Sequence, residues 1–430
     1  MEKRKIAFNT FGCKLNFAET SAIARKFHNG DFETVDFKET ADIYVIHSCT
    51  VTAQAERKCK AAIRQAVKRN PEASVAVIGC YSQLKPEELR KMKGVDIVLG
   101  NSEKYRLFDV IAEKDQIKTE HSDSGLKLSG HFEPGYSISD RTRSFFKVQD
   151  GCDYFCSFCA IPYARGRSRS ATIADTLTVA KQIAVSGIRE IVLTGVNIGD
   201  FGKHQGESFF GLLRGLSELS DIERIRISSV EPELLSNEII HLVADSVRFM
   251  PHFHIPLQSG NNRILALMKR KYQREVFAQR VNEIKKLMPE ACIAADVITG
   301  FPGETQDEFE DTYEFISSLP ISYLHVFTYS LRPGTKAAEM EIQLSESEKQ
   351  LRSRKLHQLS NLKKLDFYTQ NQGSKRKVLW ESDIDNGYMF GFTENYIRCK
   401  KEFESCAVNT IETVRLDIID EDGVFGVITT

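Results

Sequence analysis

Cys152, Cys156 and Cys159 stand in the run Lys147-Val-Gln-Asp-Gly-Cys-Asp-Tyr-Phe-Cys-Ser-Phe-Cys-Ala-Ile-Pro162. Three thiolates spaced C-x3-C-x2-C can hold three irons of a cubane iron–sulfur cluster and leave the fourth iron without a cysteine. An open iron can bind a small molecule, so the spacing points to chemistry on a bound cofactor more than to electron storage. A structural zinc site would normally bring four Cys or His ligands in two close pairs, and no second pair follows here. Gly151 precedes the first cysteine and Phe158 sits just before the last.

Three further cysteines occupy one kind of place. Cys13, Cys49 and Cys80 each follow a strand-like segment and precede a helix-like one. In a parallel α/β sheet such strand ends share one edge, where ligands bind. On spacing alone, a second three-thiolate site and three small buried residues are equally good readings. Glycine beside the thiol in Phe11-Gly-Cys13 and Ile78-Gly-Cys80 favours the site, because there the backbone turns sharply or approaches a neighbour. Cys59 reads as core, on an apolar helical stripe with Ala55, Ala62, Ile63 and Ala66. Cys292, Cys399 and Cys406 carry no assigned role.

The elements that must position these thiols fall into three regions of an α/β protein. Residues 1–115 alternate strands at Lys5–Thr10, Ile43–His47, Ser74–Ile78 and Asp96–Leu99 with helices beginning near Ala18, Ala53, Pro86 and Tyr105. Residues 116–142 are Gly-, Ser- and charge-rich and read as a linker. Residues 143–372 give six strand-then-helix units, with strands at Phe145–Gln149, Glu190–Leu193, Arg224–Ser228, His252–Leu257, Ile293–Ile298 and Tyr323–Tyr329. Six such units suit a partial (βα)6 barrel, whose active residues gather at the C-terminal strand ends. Polar groups recur at that rim: Gly195, Asn197, Ser229, Gln258 and Asp296 with Phe158 make the expected cofactor contacts, although any one could merely cap a helix or shape a turn. Residues 373–430 turn to short strands and turns, expected as a small all-β domain.

Apolar content of 41% and charged content of 27% over 430 residues are those of an ordinary globular chain. The first residues carry no long apolar stretch, which predicts no signal peptide, and no apolar run reaches the ~18 residues a membrane span needs. Ten cysteines are then better read as metal ligands and buried thiols than as disulfides, in a reducing, cytoplasmic setting. The net charge of −1 hides a basic stretch between Leu351 and Trp380, including Lys375, Arg376 and Lys377. It reads as a solvated helix face or, beside an RNA-binding domain, as a phosphate track. Arg165, Arg167 and Arg169 follow the cysteine loop with no acid among them, and either form a solvated run or contact RNA.

The C-x3-C-x2-C motif resembles that of the radical S-adenosylmethionine (SAM) enzymes. The three regions in this order resemble the methylthiotransferases of that superfamily over essentially the whole chain. Phe11-Gly-Cys-Lys-Leu-Asn16, His47-Ser-Cys-Thr-Val-Thr52 and Val77-Ile-Gly-Cys-Tyr81 resemble the family's auxiliary-cluster loops. Leu193-Thr-Gly-Val-Asn197, Ile255-Pro-Leu-Gln-Ser-Gly260 and Asp296-Val-Ile-Thr-Gly-Phe-Pro-Gly-Glu304 resemble further family blocks, and the tail resembles an RNA-binding TRAM domain. The resemblance implies two 4Fe-4S clusters, on Cys152/Cys156/Cys159 and on Cys13/Cys49/Cys80, together with SAM. It implies methylthiolation at carbon 2 of adenosine 37, presented by a tRNA anticodon stem-loop, with electrons from a donor such as flavodoxin or ferredoxin and an unknown sulfur donor. Cys13-Lys-Leu-Asn16 is closer to the threonylcarbamoyladenosine branch than to the isopentenyl branch. Isopentenyladenosine 37 of tRNA or a ribosomal-protein aspartate as substrate, and a non-catalytic iron–sulfur RNA-binding module, are the alternatives.

Overall fold

A computed structural model describes residues 3–28, 31–50, 53–114, 130–138, 142–420 and 423–429. The N-terminal sheet contains β1 (Arg4–Thr10), β2 (Phe32–Val35), β3 (Ile43–Ser48), β4 (Ser74–Gly79) and β5 (Ile97–Leu99), in the order β2-β1-β3-β4-β5 and parallel throughout. β3 is buried at all six positions, as a central strand covered on both faces must be. β2 escapes a reading of the sequence because it is a short, half-exposed edge strand without a buried face. Helix α1 (Lys14–Phe27) begins at Lys14 rather than Ala18, with Cys13 extended at its N-cap. Helix α2 (Ala53–Arg69) follows β3, and Cys59 is fully buried on its inner stripe.

Most of the stretch expected as a linker (115–129 and 139–141) lies outside the described residues. Within the remainder, Gly135–Tyr136 forms β6 and pairs antiparallel with β7 (Ser144–Lys147), so the end of this stretch belongs to the second sheet. β8 (Gln149–Asp150) and β9 (Arg169–Ser170) then pair across the cysteine loop. The barrel continues with β10 (Glu190–Thr194), β11 (Arg224–Ile227), β12 (His252–Gln258), β13 (Cys292–Thr299) and β14 (Tyr323–Thr328). Its strands form two sheets, β11-β10-β7-β6 and β12-β13-β14, joined by parallel bridges Ile225–Phe249 and Ser229–His254. Alternate residues point outward into one core under the helices, including Leu193, Ile225, Ile255, Ala295 and Leu324. The residues between them face a lumen.

A helix over Glu346–Asn371, opened by a Ser345/Glu348 capping box, leads to the last domain. There β15 (Lys375–Asp385), β16 (Tyr388–Thr393), β17 (Arg398–Glu402), β18 (Ile411–Ile419) and β19 (Phe425–Thr429) close a barrel in the order β15-β16-β17-β19-β18. Trp380 fills its centre, and Cys292 and Cys399 belong to the same core as Phe367 and Tyr368. No helix among the described residues is long and apolar enough to cross a membrane.

Candidate active site between two cysteine triads

The loop carrying Cys152, Cys156 and Cys159 is pinned to the barrel from both sides. Ser157 donates its N–H to Met268 O (3.1 Å) and its hydroxyl to Leu267 O (2.7 Å), while Ala337 N–H donates to Ser157 O (2.8 Å). Arg270 donates through Nη1 to Cys156 Sγ at 3.2 Å and also pairs with Glu231. Burial pushes the Cys152 thiol up to about 12, and burial followed by repulsion from Cys156 does the same to Cys159. Thiols crowded this way become thiolates when a strongly positive core supplies the missing charge. The donor set therefore fits an iron–sulfur cluster.

The other three thiols come together at one sheet edge. A Cβ on Gly12 would stand 2.9 Å from Cys49 Cβ and 3.0 Å from its Sγ, so the Cys13 loop lies directly on Cys49. Gly79, at φ +103°, has no room for a side chain: a Cβ would meet the His47 ring at 2.6 Å. That tight passage places Cys80 at the first position of the helix Cys80–Leu84. Asn101 Nδ2 donates to Cys80 Sγ (3.4 Å) and to Ala164 O (2.8 Å), linking this edge to the helix that follows the other cysteine loop. Cys49 and Cys80 are buried, whereas Cys13 is open to solvent. Burial raises the Cys13 thiol and nearby Arg165 opposes that shift: Cys13 sits accessible within a depression walled by protein.

A cavity of about 200 Å³ lies where the two regions meet, lined among others by Thr50, Phe158, Cys159, Gln258, Phe327, Tyr329 and Arg332. Thr50 directly follows Cys49, so the loop that carries Cys49 and the thiol of Cys159 border the same space. Arg332 closes one side by donating to Glu56 Oε1 (2.7 Å), which Thr50 also reaches with its hydroxyl (3.0 Å). Gln258 enters the cavity from a bulge at the end of β12, in a left-handed conformation (φ +62°) that costs a non-glycine residue energy. Asn197 is 3% exposed; its N–H reaches Gln149 Oε1 (2.8 Å), while its Oδ1 has no partner among the described residues. Gly195 packs on Gln149, where a Cβ would meet Gln149 O at 2.9 Å. Ser229 is half-buried and bridged to the backbone of His254.

Asp296, expected as a cofactor contact, accepts from His254 Nε2 at 2.6 Å. With His325 these side chains bring three ligand-type atoms within 4.8 Å of one another. The histidines escape motif reading because only the period-two alternation of β12 and β14 turns both inward.

The arginine run divides by burial. Arg165, expected at an RNA surface, is 1% exposed and holds Glu19 (3.0 Å) and Asp150 (2.9 Å). Arg169 is likewise committed to Asp150 at 2.9 Å. Arg167 alone projects outward, with 73% of its side chain exposed beside Asp153. The same correction applies in the tail, where period-two alternation exposes Lys375 and Lys377 but buries Arg376 against Asn371 and Glu290. Nor is the stretch 351–380 one continuous phosphate track: Arg352 is buried on Glu304, and Lys363 caps the carbonyls of Ser317 and Leu319.

Glu19, Lys104, Lys147 and Asp150 carry no motif, yet with Arg165 they form the buried seam between the first two regions. Glu19 is fully buried and pairs with Lys104 (2.6 Å), Lys147 (2.9 Å) and Arg165. Burial would raise its carboxyl, but Arg165, Lys104 and Lys147 together hold it well below the usual range. Around it α1 packs on the inside of the barrel edge, with Ala18 and Phe17 against Phe145 and Val192. The last domain docks on the opposite strand ends. Tyr396 stacks on His252 at 4.2 Å, and Arg226 donates to the carbonyls of Thr393 and Glu394.

Residues 5–100 match an uncharacterised protein family designated UPF0004, and residues 146–316 match the radical SAM superfamily. The chain is 40% identical to the threonylcarbamoyladenosine tRNA methylthiotransferase MtaB of Aquifex aeolicus, over 93% of this chain and 97% of that protein. It is also 40% identical to the Bacillus subtilis protein of the same name, over 91% and 89% of the two chains. A tRNA-2-methylthio-N(6)-dimethylallyladenosine synthase of Syntrophotalea carbinolica is 32% identical over 89% and 90%. In fold the chain is similar to the radical SAM methyltransferase TsrM of Kitasatospora setae, with a TM-score of 0.60 at 13% identity, over 78% of this chain and 75% of that one.

Proposed function

We propose, for a chain that belongs to the radical SAM methylthiotransferase family, that it inserts a methylthio group at carbon 2 of N6-threonylcarbamoyladenosine 37 in tRNA. The observation that carries this reading is the shared cavity, with Thr50 of the Cys49 loop on one wall and Cys159 of the other triad beside it. Near-complete coverage of the threonylcarbamoyladenosine relatives at 40% identity, against 32% for the dimethylallyladenosine relative, supports the choice of base.

In this reading Cys152, Cys156 and Cys159 hold the 4Fe-4S cluster that the superfamily uses with SAM. Cys13, Cys49 and Cys80 hold a second cluster. When bound, the cluster and SAM supply a radical able to take hydrogen from an unactivated C–H bond, which acid–base chemistry cannot do. The protein positions and excludes. Asn197 offers its unpartnered Oδ1, and Phe158 and Gln258 line the cavity, as contacts for SAM. Arg270 holds Cys156, and Asn101 holds Cys80. Glu56 and Arg332 close the cavity edge. The base enters unstacked from the anticodon loop, as chemistry on a base requires. Arg167, Lys375 and Lys377 contribute phosphate contacts from outside. A small reductant such as flavodoxin or ferredoxin supplies the electron.

The test is nucleoside mass spectrometry of tRNA from cells with and without the gene. Loss of the methylthio form of threonylcarbamoyladenosine is the expected result. Loss of the dimethylallyl form instead would reassign the base, and an unchanged tRNA profile would remove tRNA as the substrate. Anaerobically reconstituted protein should carry about eight irons per chain, and about four in the Cys49→Ala variant, if both triads hold cubanes.

A further inference from the structure

The short helix Ile161–Arg165 begins two residues after Cys159, and its last two residues reach the other triad through two asparagines. Arg165 Nη2 donates to Asn16 Oδ1 (2.7 Å), and Ala164 O accepts from Asn101 Nδ2 (2.8 Å). Asn16 is 1% exposed and Asn101 4%. The partners of each amide fix which way round it sits.

Lysine and arginine can only donate, so the amide atom that faces them must be the carbonyl oxygen. Arg165 therefore draws the Asn16 oxygen, which leaves Nδ2 for Phe11 O (2.7 Å) and Ser48 O (3.4 Å). Those carbonyls belong to the loops that carry Cys13 and Cys49. Buried Lys104 donates to Asn101 Oδ1 (2.9 Å) in the same way, and so aims Nδ2 at Ala164 O and at Cys80 Sγ (3.4 Å). The Asn101 backbone is held as well, its N–H donating to Gln83 Oε1 at 2.9 Å. Two amides thus tie all three loops of the second triad to the helix that follows the first. They differ in one respect. Asn101 points a donor at a sulfur, whereas Asn16 holds backbone and places its oxygen 3.8 Å from Cys13 Sγ.

We propose that Asn16 and Asn101 are positioning residues that fix the separation of the two clusters, and that the Asn101 N–H also tunes the second cluster through Cys80. The inference rests on the function proposed above. A thiolate on iron still accepts, so Asn101 keeps its bond when the triad is loaded. Reduction adds negative charge to a cluster and its sulfurs, and an N–H aimed at one sulfur stabilises the reduced form. The bond therefore raises the second cluster's one-electron midpoint potential. Separation matters because the base must meet both sites at once, and a misplacement of about 1 Å can cost about 100-fold in rate.

The test is a redox titration followed by electron paramagnetic resonance, on full-length protein in which one triad at a time is changed to alanine. With Cys152, Cys156 and Cys159 replaced, the second cluster is read alone; with Cys13, Cys49 and Cys80 replaced, the first. Asn101→Leu should shift the second cluster's midpoint to more negative potential and leave the first where it is. Asn101→Asp keeps the shape and the Lys104 contact but cannot donate to Cys80, and should shift it the same way; it carries the test if the leucine variant takes up no second cluster. Asn16→Leu should leave the midpoint unmoved. In holoenzyme acting on a stem-loop with threonylcarbamoyladenosine, all three variants should raise the 5′-deoxyadenosine formed per methylthio product about 10-fold or more. A midpoint that stays put in both Asn101 variants, or moves as far in Asn16→Leu, would overturn the tuning, as would loss of the second cluster from both Asn101 variants. An unchanged product ratio in all three would overturn the positioning. No methylthio product from wild type would overturn the proposed function and the positioning with it, while the midpoints still read the tuning. Absence of iron from the Cys152, Cys156 and Cys159 alanine protein would overturn the second cluster and this inference together.

Discussion

Changing Glu19 to glutamine alters one atom and one charge at the seam between the N-terminal sheet and the barrel. In the native protein two carboxylates, Glu19 and Asp150, serve Lys104, Lys147, Arg165 and Arg169 within a region no more than a few per cent exposed at its centre. In the variant four cations face one carboxylate. Lys104 keeps only the Asn101 Oδ1 contact at 2.9 Å, and the new amide points a donor towards Lys104, Lys147 and Arg165, which can only donate. Removing one partner of a buried pair typically costs ~3–5 kcal/mol, because the other charge stays buried without compensation. A domain of this size loses roughly 2–4 °C per kcal/mol, so the apparent Tm should fall by roughly 6–20 °C. The sign with pH follows from linkage: a carboxyl held below its unfolded value of 4.5 stabilises fully above that pH and loses its contribution as pH falls through the folded value. The gap between wild type and Glu19→Gln should therefore be flat near neutrality and narrow below about pH 5. Anaerobic scanning calorimetry of the holoenzyme at one fixed scan rate measures both. A neutral-pH loss worth under about 1 kcal/mol would show that the seam is held by packing, with the charges idle.

Arg167→Glu should weaken tRNA binding and lower the salt slope of log Kd by about one, while Arg165→Met lowers Tm and leaves the slope alone; filter binding at several salt concentrations separates them, and equal slopes for all three proteins would return Arg167 to the solvated surface. Gly79→Ala forces a Cβ into the His47 ring and should move Cys80, which iron analysis would register as a fall towards about four irons per chain; retention of the full complement would mean that the loop adjusts. In native protein, iodoacetamide should modify exposed Cys406 and spare Cys59, whose thiol burial pushes up to about 12, and Cys399, which is raised for the same reason. Peptide mass spectrometry showing labelled Cys59 in folded protein would contradict that core placement.

The strands that carry the proposed ligands were legible because each is a short, nearly continuous apolar run, and such runs in alternation with helices admit few topologies. Glycine next to Cys13 and Cys80 was legible for a local reason as well, since a positive φ or a missing Cβ acts within one or two residues. The RNA contacts were read less well. Arg165, Arg169 and Arg376 look like Arg167 in a sequence, because charge carries no label of where its partner lies. Arg165 meets Glu19 across 146 positions, and Arg376 meets Glu290 across the docking of two domains. The His254–Asp296–His325 layer had no local signature either, as each residue comes from a different strand.

The sequence by itself determined which thiols could share a cluster, which segments are strands, and where glycine is required, since spacing, periodicity and backbone sterics are properties of a few neighbouring residues. The tertiary structure alone decided that the Cys49 loop and Cys159 border one cavity, that Arg165 and Arg169 are tied to internal carboxylates, and that His254 and His325 meet beside Asp296. Those facts depend on burial and on partners brought together by packing, and a long-range charge pair takes its strength from water excluded by the whole fold.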